Sequence, residues 1–313
     1  MALVRPPRPL QAVGRAIPHE RRRTVLRTLG LIGSGMIGSS VARLAVAAGL
    51  EVVLSNSRGP ETLARLGAEL GGRARAATPA EAARAADLVV AAVPFSAHDR
   101  LPAEALAGRT VLDTANYYPE RDGHLRELDA GELTSSALLQ RHLAGSRVVK
   151  AFNNITPHQI LSLARPADAA DRSALPIAGD DAEARAEAAR LLDVLGYDTV
   201  DMGPLADSWR SEPDTPVYVR PYLGEVPAMG VEEFLRWTFQ TPGVAVPAGD
   251  VRKLVKTAVR RRAGEARLPN DDLAAHPVGS QPRHRSMATP DRITPTTSLA
   301  SSGVTGRCPK STR

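Results

Sequence analysis

Residues 28–38 read Thr-Leu-Gly-Leu-Ile-Gly-Ser-Gly-Met-Ile-Gly, a GxGxxG spacing where a short apolar run gives way to an alanine-rich one. A strand that turns on glycine straight into a helix constrains the fold more than any other feature of this chain, because it opens a βαβ unit and hence a parallel sheet. Each glycine has a distinct part. Gly33 permits the tight turn, Gly35 lets a pyrophosphate approach backbone with no β-carbon in the way, and Gly38 lets helix pack closely on strand. Amides at the start of a helix expected from Met36 to Ala48 then face phosphates. The spacing predicts a bound dinucleotide; the competing reading is a glycine-rich turn that binds nothing.

The tip of the second expected strand indicates which dinucleotide. NAD sites offer Asp or Glu to the ribose hydroxyls about 20 residues beyond the glycines. Here the stretch is Glu51-Val-Val-Leu-Ser-Asn-Ser-Arg-Gly59, with no acid at its tip. Asn56, Ser57 and Arg58 offer instead small polar groups and a guanidinium whose fixed fork of donors suits a 2′-phosphate. NADP(H) is therefore expected over NAD(H), against the plainer reading of Arg58 as a solvated turn residue.

Strands and helices then alternate as in a doubly wound parallel sheet with helices on both faces. Strands are expected at Leu26–Ile32, Glu51–Ser55, Arg73–Ala76, Asp87–Val93, Arg109–Asp113 and Arg147–Phe152, and helices at Pro60–Leu70, Pro79–Ala86 (capped by Thr78) and Ser135–His142. A further strand, helix and strand at Ala174–Ala178, Asp181–Leu195 and Asp198–Asp201 extend the sheet. Beyond Gly203 the pattern loosens, with Trp209, Tyr218 and Tyr222 among Pro and Arg, and short helices are expected at Val231–Phe239 and Val251–Arg262.

With 313 residues and 43% apolar composition the chain can bury one large or two modest cores. Its net charge of +6 is unevenly spread. Residues 1–27 carry seven basic side chains against one acidic, 28–250 carry 20 against 29, and 251–313 carry 13 against four. The basic ends read as solvated tails, since no zinc-finger spacing or RNA-binding aromatic signature accompanies them; no specific nucleic-acid partner is expected. Arg21-Arg22-Arg23 superficially resembles an export signal, but cleavage there would remove the glycine loop, so a dispensable extension or a mis-set start is the expectation. No apolar run approaches the ~18 residues of a membrane span. Cys308 is the single cysteine, which leaves no disulfide framework or cysteine-rich metal site, and a cytoplasmic setting is expected.

Ligands of open α/β sheets lie beyond the carboxyl ends of the strands. That rule selects the glycine loop, Val93-Pro94-Phe95-Ser96, residues 114–118 (Thr-Ala-Asn-Tyr-Tyr), and residues 151–158 (Ala-Phe-Asn-Asn-Ile-Thr-Pro-His). Pro94 would stiffen a floor under the nicotinamide, and Asn153 and Asn154 supply uncharged amide donors and acceptors, or serve merely as turn formers. There is no HExxH, GxSxG or Walker loop, and His98, His124, His142 and His158 are scattered; His158 is the best placed of them. No catalytic acid or base stands out, which suits a hydride acceptor that needs chiefly orientation.

Gly33-Ser-Gly-Met-Ile-Gly38, Ser55-Asn-Ser-Arg58, Ala92-Val-Pro94, Lys150-Ala-Phe-Asn-Asn154 and Gly179-Asp-Asp181 together resemble the NADP oxidoreductase, coenzyme F420-dependent family, from about Leu26 to about Tyr222. The resemblance implies a Rossmann domain with a small C-terminal portion, usually dimeric, passing hydride between NADPH and an 8-hydroxy-5-deazaflavin. It implies that Gly33, Ser34, Gly35, Met36 and Ile37 hold the pyrophosphate and that Asn56, Ser57 and Arg58 hold the 2′-phosphate. Val93, Pro94 and Ala151 then border the nicotinamide. Relatives often carry a Lys one turn into the next helix where Thr62 stands here, with Arg65 as a substitute, and the compact reductases lack the chain beyond Tyr222.

The expected organisation is an α/β fold with a basic disordered extension over residues 1–25, an NAD(P)-binding Rossmann-type domain over 26–203, a C-terminal cap with short helices over 204–262 and a disordered tail over 263–313. The expected function is NADP(H)-dependent hydride transfer to a small-molecule acceptor, coenzyme F420 or a flavin-like ring. Reduction of a small carbonyl or imine, and a non-catalytic NADP(H)-binding sensor, are the alternatives.

Overall fold

A computed structural model describes residues 26–261; the expected extension, the expected tail and Cys308 lie outside them. Six strands, β1 (Thr28–Ile32), β2 (Glu51–Ser55), β3 (Ala74–Ala76), β4 (Leu88–Ala91), β5 (Thr110–Asp113) and β6 (Arg147–Lys150), run parallel in the order β3-β2-β1-β4-β5-β6. Strand order therefore reverses between β1 and β4, which opens a crevice at their carboxyl ends. Every residue of β4 and β5 is buried, as strands covered by helices on both faces require. This is the expected doubly wound Rossmann sheet.

The outer edge departs from an all-parallel sheet. β7 (Ala174–Gly179) runs antiparallel to β6 through the pairs Val149–Gly179 and Lys150–Ala178, and β8 (Asp198–Asp201) is parallel to β7. The connection from β6 holds one short helix, Pro157–Ser162, docked on the Met36–Ala47 helix, with Ser40 Oγ donating to the Pro157 carbonyl at 2.9 Å. The chain thus stays at the carboxyl end of the sheet and enters β7 from there. β6 stops at Lys150, before the expected Phe152, because Phe152 turns the chain with φ of 60°.

Local signals explain the helices. Thr78 and Glu81 form a reciprocal capping box ahead of Pro79. Asp181 accepts the Ala184 amide at 2.7 Å and starts the Ala182–Val194 helix, which buries Ala184, Ala188, Leu191 and Leu192. The residues beyond Gly203 share the main core. Tyr222, Val246, Val251 and Val255 join the cluster that contains Leu29, Val41 and Leu112, and the Ala174 amide donates to the Val246 carbonyl at 2.8 Å. The last helix runs Ala248–Thr257 rather than from Val251 to Arg262, beginning after Pro247 and ending where Ala258 turns extended.

A buried ion pair pins β5 to β6 beneath the crevice. Lys150 and Asp113 are both fully buried; Lys150 Nζ donates to the Ala115 carbonyl at 2.6 Å and Ser135 Oγ at 2.9 Å, and lies 3.4 Å from Asp113 Oδ2. Asp113 also accepts Ser136 Oγ at 2.6 Å and the Ala115 amide at 2.9 Å. Burial alone would push this carboxyl up, but Lys150, His98 and these hydrogen bonds together hold it below its ordinary value. Lys150→Ala leaves Asp113 buried and uncompensated and should cost about 3–5 kcal/mol in urea denaturation at pH 7. In the wild type the folded pKa of Asp113 is lowered, so its contribution is present above its unfolded value of about 3.9 and is lost as pH falls through the folded one. In the variant the carboxyl is raised, so protonation favours the fold, and the gap between the two proteins should narrow as pH falls from 7 toward about 4.

Candidate functional site

The glycine loop is built by close contact between backbones. Gly33, at φ of +100°, donates its amide to the Ser55 carbonyl at 3.0 Å; a Cβ there would meet the Ala92 carbonyl oxygen at 2.2 Å. A Cβ on Gly38 would lie 2.0 Å from the Gly33 oxygen. Gly35 is the opposite case, for a Cβ on it would meet nothing within 4 Å. Two glycines are therefore demanded by packing, while the third leaves an open cradle over the start of the Met36–Ala47 helix. That helix has Gly35 as N-cap and no side-chain cap, so its first amides keep their hydrogen-bonding capacity for a ligand. Met36 is 63% exposed at the rim, Ile37 is half-buried, and Ser34 Oγ donates to the Ser55 carbonyl at 3.0 Å. The site fits a pyrophosphate.

Strand β2 carries the next part. Ser55 is fully buried and spends its hydroxyl on the Leu31 carbonyl at 2.8 Å. Past it, Asn56 Oδ1 accepts the Arg58 amide at 2.9 Å, Asn56 Nδ2 donates to Thr62 Oγ1 at 2.9 Å, and Thr62 donates in turn to the Gly59 carbonyl at 2.8 Å. This Asx turn holds Ser57 and Arg58 out in solvent. Arg58 has no ion-pair partner among the described residues. Thr62 is spent on shaping the turn.

At the far end of the crevice, Val93 is half-buried and Pro94 exposed after β4. Ala151 is fully buried, and Asn153 is 4% exposed with its amide committed to protein. Its Nδ2 donates to Asn116 Oδ1 at 3.0 Å and to the Ser211 carbonyl at 2.7 Å, and its Oδ1 accepts Ser211 Oγ at 3.1 Å. Asn154 donates to the Val217 carbonyl and to Tyr222 Oη, each at 3.1 Å. The asparagine pair thus fastens the segment beyond Gly203 across the strand ends. His158 sits in the first turn of the Pro157–Ser162 helix, half-buried. His98, ranked below His158 in the sequence reading, is 6% exposed with both ring nitrogens lacking hydrogen-bond partners, and burial depresses its pKa. That reading gave no individual role to Lys150, quoted only within the family motif, to Tyr118, included only in the stretch selected beyond β5, or to Tyr218, named only in the loose segment. Their only signal was place, at strand ends or in the loose segment.

Residues 28–117 match the model of the family described as NADP oxidoreductase, coenzyme F420-dependent. The crystal structure of a hypothetical protein from Sinorhizobium meliloti is similar, with 27% identity and a TM-score of 0.55 over 64% of this chain and 96% of that one. A "putative F420-dependent NADP-reductase" from an Arthrobacter species is 26% identical, with a TM-score of 0.50 over 59% of this chain and 87% of that one. No curated protein matches the chain. Among the described residues no helix is long and apolar enough to cross a membrane, and no cluster of His, Cys, Asp and Glu could hold a metal. Fold, loop and family match together describe an NADP-binding Rossmann oxidoreductase.

The two kinds of glycine separate experimentally. Gly35 has φ of −74°, open to any residue, so Gly35→Val should fold with wild-type stability in thermal denaturation yet lose NADPH affinity by tenfold or more, as its side chain fills the cradle. Gly38→Val should unfold at lower denaturant whether or not nucleotide is present. Equal effects of both variants on stability would contradict the open cradle.

Proposed function

We propose that this chain passes hydride between NADPH and a deazaflavin of the coenzyme F420 type, or a flavin-like ring. The observation that carries the proposal is the open Gly35 cradle, joined by β2 to a tip that has Arg58 and no acid. In this reading Gly33, Ser34, Gly35, Met36 and Ile37 hold the pyrophosphate, with Gly38 closing the turn. Asn56, Ser57 and Arg58 hold the 2′-phosphate, and Val93, Pro94, Ala151 and Asn153 form the nicotinamide wall, the last two from beneath. NADPH supplies the hydride. The chain orients the two partners: Pro94 fixes the floor, and the segment held by Asn153 and Asn154 walls the crevice.

The family match and the Arthrobacter relative support a deazaflavin as the acceptor. Anaerobic mixing of the protein with NADPH and oxidised F420 tests it, with NADH and FMN in parallel. Loss of the deazaflavin absorbance with NADPH, and far slower loss with NADH, is the expected result. Demonstrated NADPH binding with neither ring reduced would overturn the proposal and favour a sensor.

A further inference from the structure

Beside the proposed nicotinamide wall lie two phenols that the sequence left without a role. Tyr118, in the loop after β5, and Tyr218, in the segment beyond Gly203, are hydrogen-bonded hydroxyl to hydroxyl. Both are held in place by more than their own contact. The Tyr118 amide donates to Asp122 Oδ2 at 3.0 Å, and the same carboxylate, on a fully buried side chain, takes the Ser96 amide from the loop that follows Pro94. Asn116, at the start of the Tyr118 loop, donates to the Asn153 carbonyl at 2.8 Å. The loop that carries Tyr118 is therefore tied to the segments that follow β4 and β6. Tyr218 is bracketed by one residue, as Asn154 Nδ2 donates to the Val217 carbonyl at 3.1 Å and the Asn154 carbonyl accepts the Val219 amide at 2.9 Å. Val219 has φ of 54°, a conformation that β-branched residues rarely tolerate. Such strain persists only where the surroundings over-determine it. Here it closes a tight turn in which the Arg220 amide donates to the Tyr218 carbonyl at 2.6 Å.

Two phenols share one hydrogen bond, so one O–H proton remains free. Burial pushes the Tyr218 hydroxyl well above its ordinary value. Burial also raises Tyr118, but the bond from Tyr218 and the Arg121 guanidinium, 4.8 Å from the Tyr118 ring centre, pull it back. Either hydroxyl can donate within the pair; these directions favour Tyr218 as the donor, which leaves the free proton on Tyr118. The other charges facing the pair are Asp122, on the same short helix as Arg121, and Asp214, on the Tyr218 segment.

We infer that Tyr118 is the proton donor to the hydride acceptor, with Tyr218 as its positioning residue. The inference rests on the function proposed above. The C4–H bond of the dihydronicotinamide breaks and its electron pair forms a C–H bond at an electron-poor carbon of the acceptor. Negative charge develops on a conjugated nitrogen or oxygen, which takes the Tyr118 proton, and water reprotonates the phenolate. In sum NADPH, acceptor and H⁺ give NADP⁺ and the reduced acceptor. The acceptor class is therefore any conjugated ring or C=N/C=O group that gains a proton with the hydride.

Full-length wild type, Tyr118→Phe and Tyr218→Phe are compared with NADPH and oxidised F420, FMN or 1-pyrroline as the acceptor. Tyr118→Phe should lose about 10²–10⁴-fold in kcat while the NADPH Kd stays within about twofold. Its residual rate should fall about tenfold per unit rise in pH between 6 and 8, as hydronium replaces the phenol, where the wild type stays flat. In the protein without cofactor, ultraviolet titration should show the Tyr118 phenol, identified by its loss in Tyr118→Phe, ionising at higher pH in Tyr218→Phe. Unchanged kcat and pH profile in Tyr118→Phe would overturn the inference alone. A wild type that binds NADPH but reduces none of the three acceptors overturns the proposed function and the inference with it. A Tyr118 ionisation that Tyr218→Phe leaves in place or lowers overturns the role of Tyr218.

Discussion

Three stretches of backbone meet where Gly33, Gly38 and Ala92 come together, and the rest of the site depends on that meeting. The Ala92 carbonyl and the Gly33 carbonyl occupy the space where side chains on Gly33 and Gly38 would have to be. With those side chains the helix would be pushed off β1, and β4 away from the loop. Without them, the helix start stands directly over the carboxyl end of β1 at the point where strand order reverses. Its uncapped amides then face the crevice. The same approach sets β2 against β1, since Gly33 donates to the Ser55 carbonyl, and so fixes the distance from the cradle to Arg58.

The opposite wall depends on buried polar groups. Lys150 and Asp113 join β5 to β6, and through Ser135 the network reaches Glu212, whose Oε1 accepts Ser135 Oγ at 2.7 Å. Asn153 and Asn154 then carry the same wall into the segment that bears Ser211, Val217 and Tyr222. Each of these groups would be costly to bury alone, and bonded to one another they specify one placement of that segment, with Asn154 Oδ1 alone among these side chains left without a partner. The wall of the proposed acceptor site is held by side chains, whereas the proposed pyrophosphate cradle is held by glycine backbone.

This difference explains what was legible in the sequence. Gly33, Gly35 and Gly38 announce themselves because backbone constraints act locally and at fixed spacing. The six parallel strands, the Thr78 cap and the Asp181 cap follow from short-range pattern in the same way. The place of Asn56, Ser57 and Arg58 at the tip of β2 was readable from a handful of residues. The antiparallel β7 was not, because its direction depends on where the Pro157–Ser162 helix docks, a contact with a helix more than a hundred residues earlier in the chain. Asn153 was read as a donor to ligand, yet its partners are Asn116 and Ser211, which no spacing rule connects. The Lys150–Asp113 pair and the Tyr118–Tyr218 pair were hidden for the same reason: each joins separate strand ends or segments, and only the folded chain brings them together.

The central claim is that the β2 tip selects the phosphorylated cofactor through Arg58, and binding constants test it most directly. Titration of the wild type and Arg58→Ala with NADPH and with NADH, followed by cofactor fluorescence at fixed ionic strength, gives four dissociation constants. A charged hydrogen bond to phosphate is worth about 1.5–3 kcal/mol. Arg58→Ala should therefore weaken NADPH roughly tenfold to a hundredfold and leave NADH within about twofold. Equal losses for the two cofactors, or wild-type preference for NADH, would contradict the account.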